Sequence, residues 1–193
     1  PNFCMLLRKH IGNARILSVT QPNFERIVEM QLEHLDEMGD LCQKKLIVEI
    51  MGKHSNIIFT DADGTIIDSI KHISHQVSSV REVLPGRTYV YPPAQEKENP
   101  LDIDINYFMN HVLRKPVSVT KAIYTSLTGL SPVIANEICY RAGVDGGMST
   151  AGLSMQEQED LYAAFDAMRT SIKEEQFAPV SYTHLRAHET LMN

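Results

Sequence analysis

Residues 45–60 read Lys-Leu-Ile-Val-Glu-Ile-Met-Gly-Lys-His-Ser-Asn-Ile-Ile-Phe-Thr, two apolar runs separated by a short polar corner. Side chains alternate along an extended strand, so Ile47, Glu49 and Met51 point one way and Leu46, Val48 and Ile50 the other. A strand apolar on nearly both faces belongs inside a core, with something packed against each side. Ile57, Ile58 and Phe59 resume that character after Gly52, Lys53, His54, Ser55 and Asn56. The block therefore calls for an interior sheet and a specific corner between two of its strands.

The flanking segments extend this sheet. Residues 15–20 alternate and are expected as a strand ended by Gln21-Pro22-Asn23, with 24–34 returning as a second strand. The acidic stretch 33–40, which carries Gly39, suits a solvated hairpin tip before a strand over 44–51. Asp63-Gly64, between apolar 57–59 and 65–67, signals a tight hairpin in which both central residues take positive φ. Leu84-Pro85-Gly86, Pro92-Pro93 and the charged run to Pro100 form a turn-rich hand-over between modules. Beyond Leu101 the period becomes helical, with helices expected over 103–113, 119–127, 132–142 and 155–176. Ser154 and Glu157 have capping-box spacing at the start of the last, and Leu161, Phe165, Met168 and Ile172 form its buried stripe. The expected fold class is α+β, an antiparallel β-rich domain over 1–100 followed by a helical module over 101–179.

Composition removes several function classes. The chain has 193 residues and a formal net charge of −6, which argues against a generally basic nucleic-acid binder and confines any RNA contact to local patches. No apolar run approaches a membrane span and no secretion signal opens the chain, so no membrane partner and a cytoplasmic location are expected. Cys4, Cys42 and Cys139 are widely spaced and lack paired ligand spacing, which favours structural thiols over disulfides or zinc. His72 and His75 share a helical spacing but have no third ligand, so a surface role is expected and no metal.

Both ends read as foreign to a complete protein. Pro1-Asn2-Phe3 leads directly into the amphipathic segment Phe3, Leu6, Leu7, His10 and Ile11, and the start is expected to be internal. Residues 180–193 resemble one reading frame of a transposon-end sequencing adapter and are set aside as an artefact, His184 and His188 included.

Two motifs carry chemistry. Residues 127–135, Leu-Thr-Gly-Leu-Ser-Pro-Val-Ile-Ala, have helix-hairpin-helix spacing, with Gly129, Leu130 and Ser131 at the turn and Ala135 as the small residue that lets two helices approach. Backbone N–H groups at such a turn can hold a phosphate, although Ser131 replaces the usual second glycine and Val133 stands where a base is common. Residues 57–68 imitate the nucleophile motif of haloacid-dehalogenase-type phosphatases, Asp61 as nucleophile and Asp63 as acid/base. The surrounding β pattern is wrong for that fold, and a β-turn explains Asp63-Gly64.

The segment Phe3-Cys-Met-Leu-Leu-Arg-Lys-His10, the pair Glu25-Arg26, residues 45–60, Leu84-Pro-Gly86, Pro92-Pro93 and residues 129–143 occur in the order in which they resemble the N-terminal region of the NFACT family of ribosome quality-control factors, also catalogued as fibronectin-binding proteins. The resemblance covers residues 1–179. It implies a β-rich domain similar in fold to the N-domain of formamidopyrimidine-DNA glycosylases, lacking its first segment and any glycosylase activity, followed by a helix-hairpin-helix module. It further implies binding to a large ribosomal subunit obstructed by peptidyl-tRNA, recruitment of tRNA, alanine tRNA in bacteria, and alanine tailing of the stalled chain. Peptide-bond formation would stay with the ribosome, so no catalytic residue, metal or nucleotide cofactor is expected. Glu25-Arg26 occupies the place of the family's Asp-Arg pair, where the arginine fork suits phosphate or a guanine edge. Arg8, Lys9, Lys53 and His54 are candidates for an accompanying basic patch. The family's coiled-coil arm and C-terminal RNA-binding domain are not among these residues, so the chain is expected to be a fragment that does not tail alone. A fibronectin-binding adhesin is the alternative reading.

Overall fold

Five antiparallel strands pair in chain order: β1 Arg15–Thr20, β2 Ile27–Leu35, β3 Leu41–Glu49, β4 Asn56–Asp61 and β5 Ile66–Ser69. The structure is a computed structural model that describes residues 2–93 and 96–177; the suspected adapter tail lies outside these described residues. Register follows from the alternation of β3. Ile47 stands opposite Ile58, and Glu49 opposite Ile27, on one face. There Ile27, Ile47, Ile58, Ile66 and Val83 form a core, with Met51, Ile73 and Tyr89 against it. On the other face Leu46 opposes Phe59, which is fully buried and meets the ring of His10 from helix α1, Asn2–Ile11.

Among the described residues Glu49 is the one acidic side chain buried in the inner face, 1% exposed among those apolar neighbours. Its carboxylate accepts from Arg81 Nη2 at 2.5 Å and from the Tyr89 hydroxyl at 2.8 Å. The second Arg81 nitrogen, Nη1, donates to the Val90 carbonyl at 2.7 Å. Burial and the adjacent Glu49 charge push the Tyr89 phenol well above its ordinary range. Tyr91 donates to Glu29 on the same face, and burial with that bond lifts its phenol to about 12. These bonds draw the turn-rich stretch onto the sheet. Ile73 bridges Val83, Gly86 N–H donates to Ile66, and Tyr89 N–H donates to Gly64, so the free edge of β5 is covered. The first part of what reads in sequence as a hand-over, up to Tyr91, is thus part of the sheet's own packing, and the division between units falls at residues 99 and 100.

Several boundaries differ from the sequence reading: β3 spans 41–49 rather than 44–51, the last helix stops at Lys173 rather than 176, and three others shift for a local reason. The second strand starts at Ile27 rather than 24, because Pro22–Phe24 forms a 3₁₀ turn in which Asn23 and Phe24 hold φ of 54° and 57°. At Asp63-Gly64 only Gly64 has positive φ, +85°. Asp61 Oδ1 accepts from the N–H groups of Asp63 at 3.0 Å and Thr65 at 2.8 Å, closing a longer turn. The first helix after Leu101 is short, α2 Ile105–Tyr107, capped by Asp104 and continued as a π-turn over Phe108–Val112.

Residues up to 99, together with 126–129, form one compact unit, and residues 100–125 with those from 130 onward form a second. In the helical unit α3 spans Val119–Ser126, α4 Pro132–Ala142 and α5 Met155–Lys173. Helix α5 opens on the expected capping box, and its Leu161 and Phe165 are buried, with Phe165 stacked on Phe108 at 5.0 Å. Among the helices α4 packs chiefly against α5, while Thr120 of α3 donates to Asn136 of α4 at 2.8 Å.

Removing one partner of a buried ion pair strands the other charge in a low-dielectric core. Glu49→Ala should therefore lower the unfolding free energy by about 3 to 5 kcal/mol in urea titration. Glu49→Leu combined with Arg81→Met should recover most of that loss.

Candidate nucleic-acid interface

The ladder of β2 and β3 continues one residue past Ile27 and Glu49, because Ile50 N–H donates to the Arg26 carbonyl at 2.8 Å. This bond sets Arg26 beside Ile50, just ahead of the corner anticipated from residues 52–56. That corner is a 3₁₀ turn, Gly52–His54, entered through Gly52 at φ +57°. His54 N–H donates to Met51 at 3.1 Å, and Ser55 Oγ accepts from Met51 N–H at 2.9 Å. Lys53 and His54 are thereby held outward and exposed, as is Arg26.

A further cation, Lys71, which sequence reasoning missed, joins them. The buried Asn56 side chain accepts from Lys71 N–H at 3.0 Å and donates to the Lys71 carbonyl at 2.9 Å. Lys71 Nζ then reaches the Lys53 carbonyl at 3.0 Å. The signal was a polar residue at the start of an apolar strand, where a buried amide must find partners. Among the described residues Arg26, Lys53 and His54 enter no ion pair. Glu25 is half-buried, accepts at its carbonyl from Gln21 Nε2 at 2.8 Å, and forms no salt bridge with Arg26.

The other half of the expected basic patch lies elsewhere. Arg8 and Lys9 are exposed in the last turn of α1, and Lys9 Nζ pairs with Glu37 at 3.1 Å on the β2–β3 hairpin tip. That tip and the Lys53 corner terminate opposite ends of the nine-residue β3, about 26 Å apart at the rise of an extended strand. Beside the tip His10 lines a shallow cleft with His34 and Lys44, and its pKa is lowered by burial and by the charges of Lys44 and Lys9. His34 Nδ1 donates to the Leu35 carbonyl at 2.9 Å, which leaves Nε2 without a partner among the described residues.

The glycine-turn residues separate by role. Leu130 and Ala135 are buried apolar positions. Ser131 is the N-cap of α4, its Oγ accepting from Ile134 N–H at 3.3 Å, so it performs a helix-capping task at the place of the second glycine. Gly129 groups with the β-rich unit, where Ser126 accepts from Glu98 N–H at 2.9 Å and Thr128 N–H donates back at 2.8 Å. A Cβ on Gly129 would stand 2.6 Å from Cδ1 and Cε1 of Phe24. Asp61, the would-be phosphatase nucleophile, is engaged by two turn N–H groups, and His72 pairs with Asp68 at 2.7 Å. Among the described residues no group of three or more His, Cys, Asp or Glu side chains is placed to hold a metal ion, and no helix is long and apolar enough to cross a membrane.

Comparison with known proteins bears on the fold and the family. The family model described as NFACT N-terminal and middle domains matches residues 1–191. The Rqc2 homolog RqcH of Bacillus subtilis (strain 168) is 39% identical over 180 residues, which is 93% of this chain and 30% of that protein. The fibrinogen binding protein from Staphylococcus aureus has a crystal structure that superposes with a TM-score of 0.74 at 30% identity, covering 93% of this chain and 60% of that one. The N-terminal part of the fibronectin/fibrinogen-binding protein from Streptococcus suis gives 0.69 at 34% identity, covering 86% and 58%. The chain thus spans about a third of its curated relative's length.

Because the Asp61 carboxylate serves as a turn acceptor, Asp61→Asn, which keeps an oxygen in place, should be nearly neutral in thermal unfolding. Asp61→Ala should cost about 1 kcal/mol. Neither variant nor the parent should hydrolyse a phosphomonoester with magnesium.

Proposed function

The chain belongs to the NFACT family, and from that premise we propose that it is the N-terminal part of a ribosome quality-control factor whose β-rich unit meets tRNA at the sheet end bearing Arg26, Lys53 and His54. The observation that carries this reading is two exposed cations, Arg26 and Lys53, unpaired among the described residues and accompanied by the exposed His54, at a sheet end fixed by backbone hydrogen bonds, in a chain whose net charge is negative. Free cations on a fixed scaffold suit phosphate, since contact with RNA then loses no internal ion pair and little backbone freedom. Glu25, next to Arg26 in the chain and half-buried, would take the family's carboxylate role of accepting from a base amino group. Arg8 and Lys9 would meet RNA as a separate contact at the far end of the sheet.

The wider function follows from the family. In the intact protein this region would help bind a large ribosomal subunit obstructed by peptidyl-tRNA and recruit alanine tRNA for tailing of the nascent chain, in the cytoplasm. The ribosome would make the peptide bond, so the factor acts by positioning and not as an enzyme. The helix-hairpin-helix reading of Gly129, Leu130, Ser131 and Ala135 belongs to this proposal as a second backbone-mediated RNA contact. Fibronectin binding is the competing reading, supported by the printed name of the Streptococcus suis relative.

Ultraviolet crosslinking to tRNA tests the site. Arg26→Ala should reduce recovered tRNA about tenfold, the equivalent of one charge-assisted hydrogen bond. Lys53→Ala should weaken binding to all tRNAs alike and lower the salt slope by about one. Equal recovery with Arg26→Ala would remove the site assignment. A saturable fibronectin complex, with none to tRNA or ribosomes, would favour the competing reading.

A further inference from the structure

Two features that sequence reading treats as separate motifs meet in the β-rich unit. Asn23 and Phe24, immediately ahead of Glu25-Arg26, both occupy the left-handed backbone region at φ 54° and 57°. Asparagine visits that region with its short polar side chain, whereas a bulky aromatic residue seldom does, so surrounding contacts must hold Phe24 there. The contact is with Gly129. The Phe24 ring lies against the Gly129 Cα, and a Cβ at that point would sit 2.6 Å from two ring carbons and 3.4 Å from the Phe24 carbonyl oxygen. Gly129 itself has φ +75°, a second reason for glycine.

The seat is fixed. Ser126, Leu127 and Thr128 are buried, and 126–128 is tied to Glu98 by hydrogen bonds in both directions. The other side of Arg26 is fixed too, since its carbonyl accepts from Ile50 N–H at 2.8 Å and the next residue, Ile27, is locked in the core. Glu25 is the sole residue between the seated ring and Arg26, and its N–H is bound to Pro22 at 3.0 Å. With both flanks anchored, the arginine leaves the backbone from one place and in one direction.

We propose that Phe24, seated on Gly129, is a positioning residue for Arg26, and that residue 129 is glycine in order to admit that ring. The proposal rests on the reading of Arg26 as a tRNA contact. It gives Gly129 a steric task in the β-rich unit that is independent of any phosphate held by its own N–H.

The test uses the full 193-residue chain, with tRNA binding followed by fluorescence anisotropy and Arg26 followed by ¹⁵N NMR of its backbone and Nε–H. Gly129→Ala should weaken tRNA binding about tenfold, as Arg26→Ala does, and should add nothing in the Arg26→Ala background. The same substitution combined with Lys53→Ala should be additive, because the Lys53 corner has its own anchors. Resonances of residues 23–27 and the Arg26 Nε–H should move, while those of 52–55 stay. Phe24→Gly relieves the left-handed strain and vacates the seat without a clash, and covers the case in which Gly129→Ala does not fold; it should lose the same affinity while resonances outside 23–27 and 126–129 remain those of the folded wild type. Wild-type affinity in Gly129→Ala or Phe24→Gly, or equal losses with and without Arg26, would overturn the proposal while leaving the tRNA reading intact. If wild type binds no tRNA, or Arg26→Ala binds as wild type does, the tRNA reading fails. The NMR arm then decides alone: shifts confined to 23–27 support positioning, and an unmoved Arg26 Nε–H overturns it.

Discussion

A carboxylate inside an apolar face has to be matched, and the matching of Glu49 organises much of the β-rich unit. Unpaired, the charge would be excluded from such a site by desolvation alone. Arg81 and Tyr89 meet it from a stretch otherwise made of turns, and delivering those side chains brings Val83 into the core and lays residues 86–89 along the open edge of β5. The same residue ends β3 opposite Ile27, one step before the Arg26–Ile50 bond and the Lys53 corner. Core and edge protection therefore share one electrostatic requirement.

Much of the sheet was legible because its information is local. Alternation in 45–60 anticipates β3 and β4 and the two faces of 46–49, although the strand stops at Glu49 and Ile50 is exposed; residues 15–20 coincide with β1, and Pro132 and Gly143 bracket α4 as start and stop signals do. The hairpin tip at 36–40 was also visible, since Asp36 accepts from Met38 and Asp40 N–H groups around Gly39, bonds that hold its carboxyl below the usual range. What escaped was set by distant partners. Nothing near Phe24 in the chain announces a left-handed backbone, because the residue that permits it is Gly129. Nothing near Glu49 announces that its partners lie 32 and 40 residues on.

The candidate site shows the same division. Arg26, Lys53 and His54 could be named from the sequence, and the hydrogen bond from Ile50 to Arg26 is what makes neighbours of them. Lys71 could not be named, since it arrives through the buried amide of Asn56. Arg8 and Lys9 were legible as cations but not as distant ones, because separation depends on the length and direction of β3. For an acidic chain this geometry matters more than total charge: salt screens charges beyond about 10 Å, so a polyanion approaching one end of the sheet senses mainly the cations at that end.

Gly129 illustrates how one residue type can support different chemistries. Within its own turn the glycine reads as a backbone donor for phosphate. Against Phe24 it reads as absent volume, the one place where the ring can lie. The two readings differ in what a methyl group would do: a donor survives it with a strained turn, whereas a seat is destroyed. The 2.6 Å approach to two ring carbons makes the second effect the larger, because aromatic carbons in a half-buried ring cannot yield as the end of a flexible chain would. A glycine far from Arg26 in sequence thus enters the same physical unit as that arginine, and the direction in which the guanidinium is presented becomes a property of packing as much as of the strand that carries it.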